Sequence, residues 1–265
     1  MLPSYKAHPR SRLAALLPVA LAMMPGTVDA AAINSGTAYR LDDGAATYRE
    51  SHLLYQSGGK PARLVLYRCM DGSAFARKVV IYRTGVLTPD FDFIDARTGH
   101  REGVRTTARG REVYWQKSTA SAEKSKYLDL PGDAVIDAGF DAKVRSQWTQ
   151  LTAGAGISAH FLLPSALRFF KVGIERVNGK SVPGVTRLRM KLDTWYGFAA
   201  PDTELDYRES DQRLLRFKGI GSIRDKQGRN QAVRIEFPDG LSERLASETE
   251  IETARRAPLT GRCGA

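Results

Sequence analysis

Two rows of carboxylates are the residues best placed by type and spacing to do chemistry. Asp90, Asp92 and Asp95 form one, and the alternating Asp202, Glu204 and Asp206 form the other. Alternate positions on a strand share a face. Each row could therefore present paired acids for proton transfer or for a hard cation. Neighbouring cations point to a simpler role. An antiparallel pairing that sets Leu205 opposite Phe217 and Tyr207 opposite Leu215 also sets Glu204 opposite Lys218 and Asp206 opposite Arg216. The second row is then one side of a solvated cross-strand charge ladder. Asp95 is expected close to Arg101 across a turn at Gly99.

Other chemistry is thin. Beyond residue 30 only His52, His100 and His160 remain, with no second His at ligand spacing and no HExxH motif. His52 reads as a strand residue and His100 as a loop residue. No GxSxG elbow occurs. Gly154-Ala155-Gly156 does not link a strand to a helix, so it does not read as a phosphate loop. Nothing places a His beside Cys69 to make a nucleophile pair. The reading therefore leans away from an enzyme and expects neither cofactor nor metal.

The aromatics suggest binding instead. Trp115, Phe169, Phe170, Trp195, Tyr196 and Phe198 lie in or near strand-like runs, as core or as the lining of a curved sheet that takes an apolar ligand. Asp225-Lys226-Gln227-Gly228 fits a type I turn followed by a G1 bulge. It sets Asp225 opposite Arg229. Counting back, Ile223 meets Gln231, Gly221 meets Val233, Gly219 meets Ile235 and Phe217 meets Phe237 on one face, while Lys218 meets Glu236 on the other. Gly219 and Gly221 leave a notch in that apolar face. It lets the sheet bend or a helix approach, or it opens a groove for an apolar chain. Trp195, Tyr196, Phe217, Gly219, Gly221 and Ile235 are the candidate ligand-binding residues.

These residues need strands to position them. Residues 63–69 and 74–82 read as a hairpin about the turn 70–73, in ambiguous register, and 91–95 with 100–106 as a second. Residues 161–176, irregular at Pro164, should meet 182–196 across Asn178-Gly179. One helix is expected over 137–151. Phe140, Val144, Trp148 and Leu151 form its apolar stripe, Asp133 or Asp137 its cap, and Gly154 lies just past its end. A short helix is expected within 241–254. The predicted fold is mainly β, an antiparallel curved sheet or open barrel built from hairpins, with one or two helices packed against it. Residues 31–265 read as a single β-rich domain.

The N-terminus carries an address. Lys6, Arg10 and Arg12 precede the short apolar run 13–24, then Pro25-Gly26, then Val28 and Ala30 at small-residue cleavage positions. This is the pattern of a secretory signal peptide over residues 1–30, cleaved after Ala30 or Ala32. No later run is long enough for a transmembrane helix. The whole chain carries +11. Losing three cations (Lys6, Arg10, Arg12) and one anion (Asp29) with the signal leaves +9. Such a basic exported chain suits anionic envelope surfaces. Its cations are dispersed, which argues against nucleic acid. Cys69 and Cys263 would meet an oxidising compartment and are candidates for a disulfide.

Four segments, at Trp195 to Pro201, Leu214 to Ile220, Ile136 to Asp141 and around the 225–228 turn, resemble an uncharacterised family of exported proteobacterial proteins. That resemblance implies a periplasmic or secreted location and no activity. At the level of fold the chain is similar to periplasmic lipoprotein carriers, whose curved sheet binds acyl chains. The expected function is an envelope-associated binding protein holding a lipid or other apolar small molecule on a concave face. The alternatives are a hydrolase acting on an envelope polymer through Asp or Glu, and a structural partner of an envelope complex.

Overall fold

The computed structural model describes residues 35–177, 179, 182–193, 202–225, 227–238, 240 and 245–263. Over these residues the chain builds one 15-stranded sheet. Its first half is an antiparallel meander: β1 (Ser35–Arg40), β2 (Ala46–Ser57), β3 (Lys60–Arg68), β4 (Ala74–Ile81), β5 (Asp90–Asp95), β6 (His100–Thr107), β7 (Gly110–Gln116) and β8 (Lys124–Tyr127). A second meander holds β10 (Ile157–Leu163), β11 (Arg168–Arg176), β12 (Val185–Leu192), β13 (Thr203–Arg208), β14 (Leu214–Arg224) and β15 (Asn230–Glu236). The halves join where β1 pairs antiparallel with β15. The short β9 (Ala134–Val135) pairs with β10 in parallel and forms one edge, while β8 forms the other.

Connectivity forces this sheet to curl. Fifteen strands laid flat would put the edges about 65 Å apart at the usual strand spacing. Yet β8 and β9 are joined by residues 128–133 alone, a link that reaches about 25 Å at most. The sheet therefore bends round on itself, although its edges do not pair. The expected curved antiparallel sheet is the observed one, with three helices beside it: α1 (Gly139–Ser146), α2 (Trp148–Thr152) and α3 (Glu248–Arg256).

The helices occupy opposite faces. Val144 and Leu151, with Phe140 and Trp148, pack on Ile174, Leu188, Leu205 and Tyr207 inside the curl. The predicted stripe is intact, but the single helix over 137–151 is broken at Gln147, whose φ of −115° and ψ of 19° leave helical space. Neither predicted aspartate caps α1. Asp133 accepts from His160 at 2.6 Å and Asp137 accepts from Lys78 at 2.6 Å. The third helix lies outside, with Ile251 and Ala254 against Leu53, Leu64 and Leu66. A reciprocal Ser247–Glu250 capping box starts it. The middle of β3, Leu64 to Tyr67, is consequently buried on both faces.

Three register expectations need correction. Residues 161–176 are not one interrupted strand. A 3-10 turn at Pro164–Ala166, with Leu167 at φ 53°, folds β10 back on β11. Next, β14 matches the predicted register only near the turn, where Arg224 faces Asn230 and the Asp225 N–H donates to the Arg229 carbonyl. An irregularity between Ile220 and Arg224 puts two extra residues on β14. Gly219 therefore faces Val233, Phe217 faces Ile235, and Lys218 faces Arg234 instead of Glu236. A two-residue slip keeps every side chain on its face. Lastly, Glu204–Lys218, Leu205–Phe217 and Asp206–Arg216 pair as expected, but a shift after Asp206 sets Tyr207 opposite Leu214 and not Leu215. Asn178 lies outside the described residues, although β11 and β12 do pair.

Cys69, just past β3, is bridged to Cys263, with their Cα atoms 5.4 Å apart. The bridge ties the C-terminal segment to the β3–β4 turn, where the Gly261 N–H donates to the Ala74 carbonyl.

Candidate functional site

The inner face of the curl follows from strand alternation. His52 on β2 faces Val65 on β3, which faces Lys78 on β4, which faces Phe93 on β5 and then Glu102 on β6. One pair further along each strand come Glu50 and Tyr67 in one direction, and Arg63 and Val80 in the other. This face and the approach to α1 line an open-mouthed chamber of about 240 Å³. Its apolar wall is Leu214, Phe217, Ile235, Phe237 and Val80, and its polar wall is Glu50, His52, Arg63, Lys78, Asp137 and Ser222. A second chamber of about 140 Å³ lies beside it, walled by Phe91, Phe161, Leu162, Glu102 and Arg224. Asp137, Ile220, Gly221 and Ser222 line both.

The polar wall is organised around Lys78. Its ammonium donates to Asp137 Oδ1 at 2.6 Å and to Ser222 Oγ at 3.1 Å. It also lies 5.7 and 5.9 Å from the ring centres of Phe91 and Phe93. Burial is the largest influence on this amine and works against its charge. The Asp137 carboxylate, helped by Glu102 and Glu50, outweighs it and leaves the pKa raised. Asp137 holds this position with φ at 44°, a left-handed conformation that aspartate tolerates better than most residues. Beside this pair, His52 Nε2 lies 3.0 Å from Glu50 Oε1. Its Nδ1 is buried without a partner, and its ring stands edge-on to Phe237. Burial, followed by Glu50, pushes the Tyr48 and Tyr67 hydroxyls well above the ordinary phenol range, so both stay protonated donors.

The predicted binding residues are distributed as follows. Phe217, Gly221 and Ile235 line the main chamber. Gly219 does not, because its notch is already filled from β13. A Cβ there would lie 2.7 Å from Thr203 Oγ1 and 3.2 Å from the Phe217 ring. At Gly221 a Cβ would sit 3.2 Å from Val233 Cγ2 and 3.4 Å from the Tyr48 hydroxyl, so a side chain there would press on both. Trp195 and Tyr196 lie outside the described residues.

The carboxylate rows are ion-paired walls. Asp206 takes Arg187 and Arg216, each at 2.7 Å. Glu204 contacts Arg216 and Lys218, and Asp202 contacts Arg189. Asp90 pairs with Arg111 at 3.0 Å, and Asp92 with Arg101 and the Tyr114 hydroxyl. Asp95 does not meet Arg101, since the two point to opposite faces. It is fully buried against Arg97 at 2.7 Å. His100 is no loop residue. It starts β6, is fully buried, and its Nδ1 lies 2.7 Å from the Gln116 carbonyl. Among the described residues no group of three or more His, Cys, Asp or Glu is placed to hold a metal ion.

Sequence reasoning missed the cluster of Glu50, Lys78, Asp137 and Ser222. One signal was available: Lys78 stands between the inward Ala76 and Val80 of a strand whose pattern sends it into the core. No protein-family model, curated protein or solved structure matches the chain.

Proposed function

We propose that this is an exported binding protein of the cell envelope, whose curled sheet holds one small ligand with an apolar chain. The observation that carries this reading is the pair of adjoining chambers inside the curl, the main one walled on one side by Leu214, Phe217, Ile235 and Phe237. Together they reach the lower end of the ~300–1,000 Å³ common for ligand sites. Apolar walls with a few convergent polar groups are the usual composition of such a site. Export is supported by the tripartite pattern over residues 1–30. The Cys69–Cys263 bridge suits an oxidising compartment such as the periplasm. The surplus of cations suits residence near anionic envelope surfaces.

A hydrolase using Asp or Glu is the second reading, favoured by Glu50 and Asp137 lining one chamber. Against it, each carboxylate already has a basic partner within the wall. The deciding experiment is titration with a fluorescent fatty-acyl probe, in wild type and in Phe217→Lys. Saturable one-to-one binding that Phe217→Lys abolishes supports the carrier. Absence of binding to folded wild type overturns it.

A further inference from the structure

One cation of the main chamber meets no carboxylate among the described residues. Asp137 is neutralised by Lys78, Glu50 faces His52, and Asp141 is held by Arg145 at 2.5 Å. Arg63 is the cation left over. It is half-buried on the inner face of β3. Its Nε is enclosed without a partner, and among the described residues no carboxylate pairs with it. The nearby His52 Nδ1 is the second unpartnered polar atom of the same wall. The two residues are diagonal neighbours on adjacent strands, because His52 faces Val65 and Arg63 faces Leu54. Diagonal positions lie about 7–8 Å apart, within joint reach of long side chains. Buried polar groups are ordinarily satisfied. The unpartnered Arg63 Nε–H marks where a ligand's acceptor atom belongs.

We propose that the ligand is a single-chain amphiphile with a carboxylate head, bound by the Arg63 guanidinium, with its alkyl chain along Phe217 and Ile235. This deepens the carrier reading and rests on it. A carboxylate fits the charge of the wall better than a phosphate. Glu50 and Asp137 line the same wall, so a singly charged head meets less repulsion there than a dianion would. The planar guanidinium fork also matches a carboxylate in two-point contact.

The test is calorimetric titration of the oxidised protein with dodecanoate, dodecanol, methyl dodecanoate and dodecyl phosphate. Dodecanoate should bind at least about tenfold more tightly than the alcohol or the ester, as expected for a hydrogen bond to a charged group. Arg63→Met should remove that advantage, with a cooperative thermal melt showing that the variant is folded. Arg63→Lys should restore part of it. With [1-13C]dodecanoate, the bound carboxyl should titrate at lower pH than the free acid in wild type and lose that shift in Arg63→Met. Should Arg63→Met fail to fold, the wild-type ranking of acid over alcohol and ester still decides. Equal affinity for acid, alcohol and ester, or tighter binding of the phosphate, would overturn the carboxylate head while leaving the carrier reading intact. Failure of all four to bind folded protein would overturn both.

Discussion

Replacing Asp137 by Asn should convert Lys78 from a stabilising group into a destabilising one. The Lys78 and Asp137 side chains are 10% and 19% exposed, so solvent screens their 2.6 Å contact poorly. Removing one partner of a buried pair typically costs about 3–5 kcal/mol, because the other charge stays buried and uncompensated. We expect about 3 kcal/mol for Asp137→Asn, at the low end because Asn can still accept from the ammonium. Lys78→Met should cost a similar amount by stranding the carboxylate. The double variant should lose clearly less than the two single losses added, by about 2 kcal/mol. The pH profile gives an independent sign. In wild type the folded pKa of Lys78 lies above its ordinary 10.5. Its stabilising contribution is therefore fully present below pH 10.5 and is lost as pH rises through the folded value. In Asp137→Asn burial dominates and depresses the folded pKa, so the unfolded chain binds the extra proton. Stability of that variant should rise as pH climbs from 8 towards 10.5. Urea unfolding followed by tryptophan fluorescence at several pH values measures both effects. Additive losses, or parallel pH profiles for variant and wild type, would refute the buried pair as described.

Three further expectations are checked independently of that pair. Gly219→Ala should destabilise by about 1–3 kcal/mol through its clash with Thr203, whereas Gly221→Ala should cost less stability but weaken acyl-probe binding; thermal melts and probe titrations on both variants check this. Reducing the Cys69–Cys263 bridge, which closes a separation of 194 residues, should remove about 5 kcal/mol on the chain-entropy account, and the oxidised protein should show no reactive thiol when unfolded in denaturant. N-terminal sequencing of the exported protein should find Ala31 or Ile33 first, and an intact Met1 there would contradict the signal-peptide reading.

What could be read from the chain was local. The hairpins about 70–73 and 96–99 were legible because short turns rich in Asp and Gly fix their own geometry. The Glu204–Lys218 and Asp206–Arg216 pairs were legible because charge and apolarity alternate together there. The extra residues between Ile220 and Arg224 were not, since a two-residue slip leaves that alternation unchanged. Burial of β3 on both faces, by the core within and α3 outside, erased the period-two signal over Leu64 to Tyr67 and made its register ambiguous. The Lys78 cluster draws on β2, β4, β14 and the approach to α1. No local pattern links residues so far apart. Asp137 was misread as a helix cap because capping and ion pairing ask for the same side chain in the same place.

The central claim is that an apolar chain lies inside the curl, and its most direct test is an isotope-filtered NOE experiment on labelled protein with unlabelled dodecanoate. Cross-peaks should join the ligand's methylene protons to the Ile235 methyls and the Phe217 ring, both of which line the main chamber. Cross-peaks confined to outer-face residues such as Leu53 and Leu64 beneath α3, or none at saturating ligand, would contradict it.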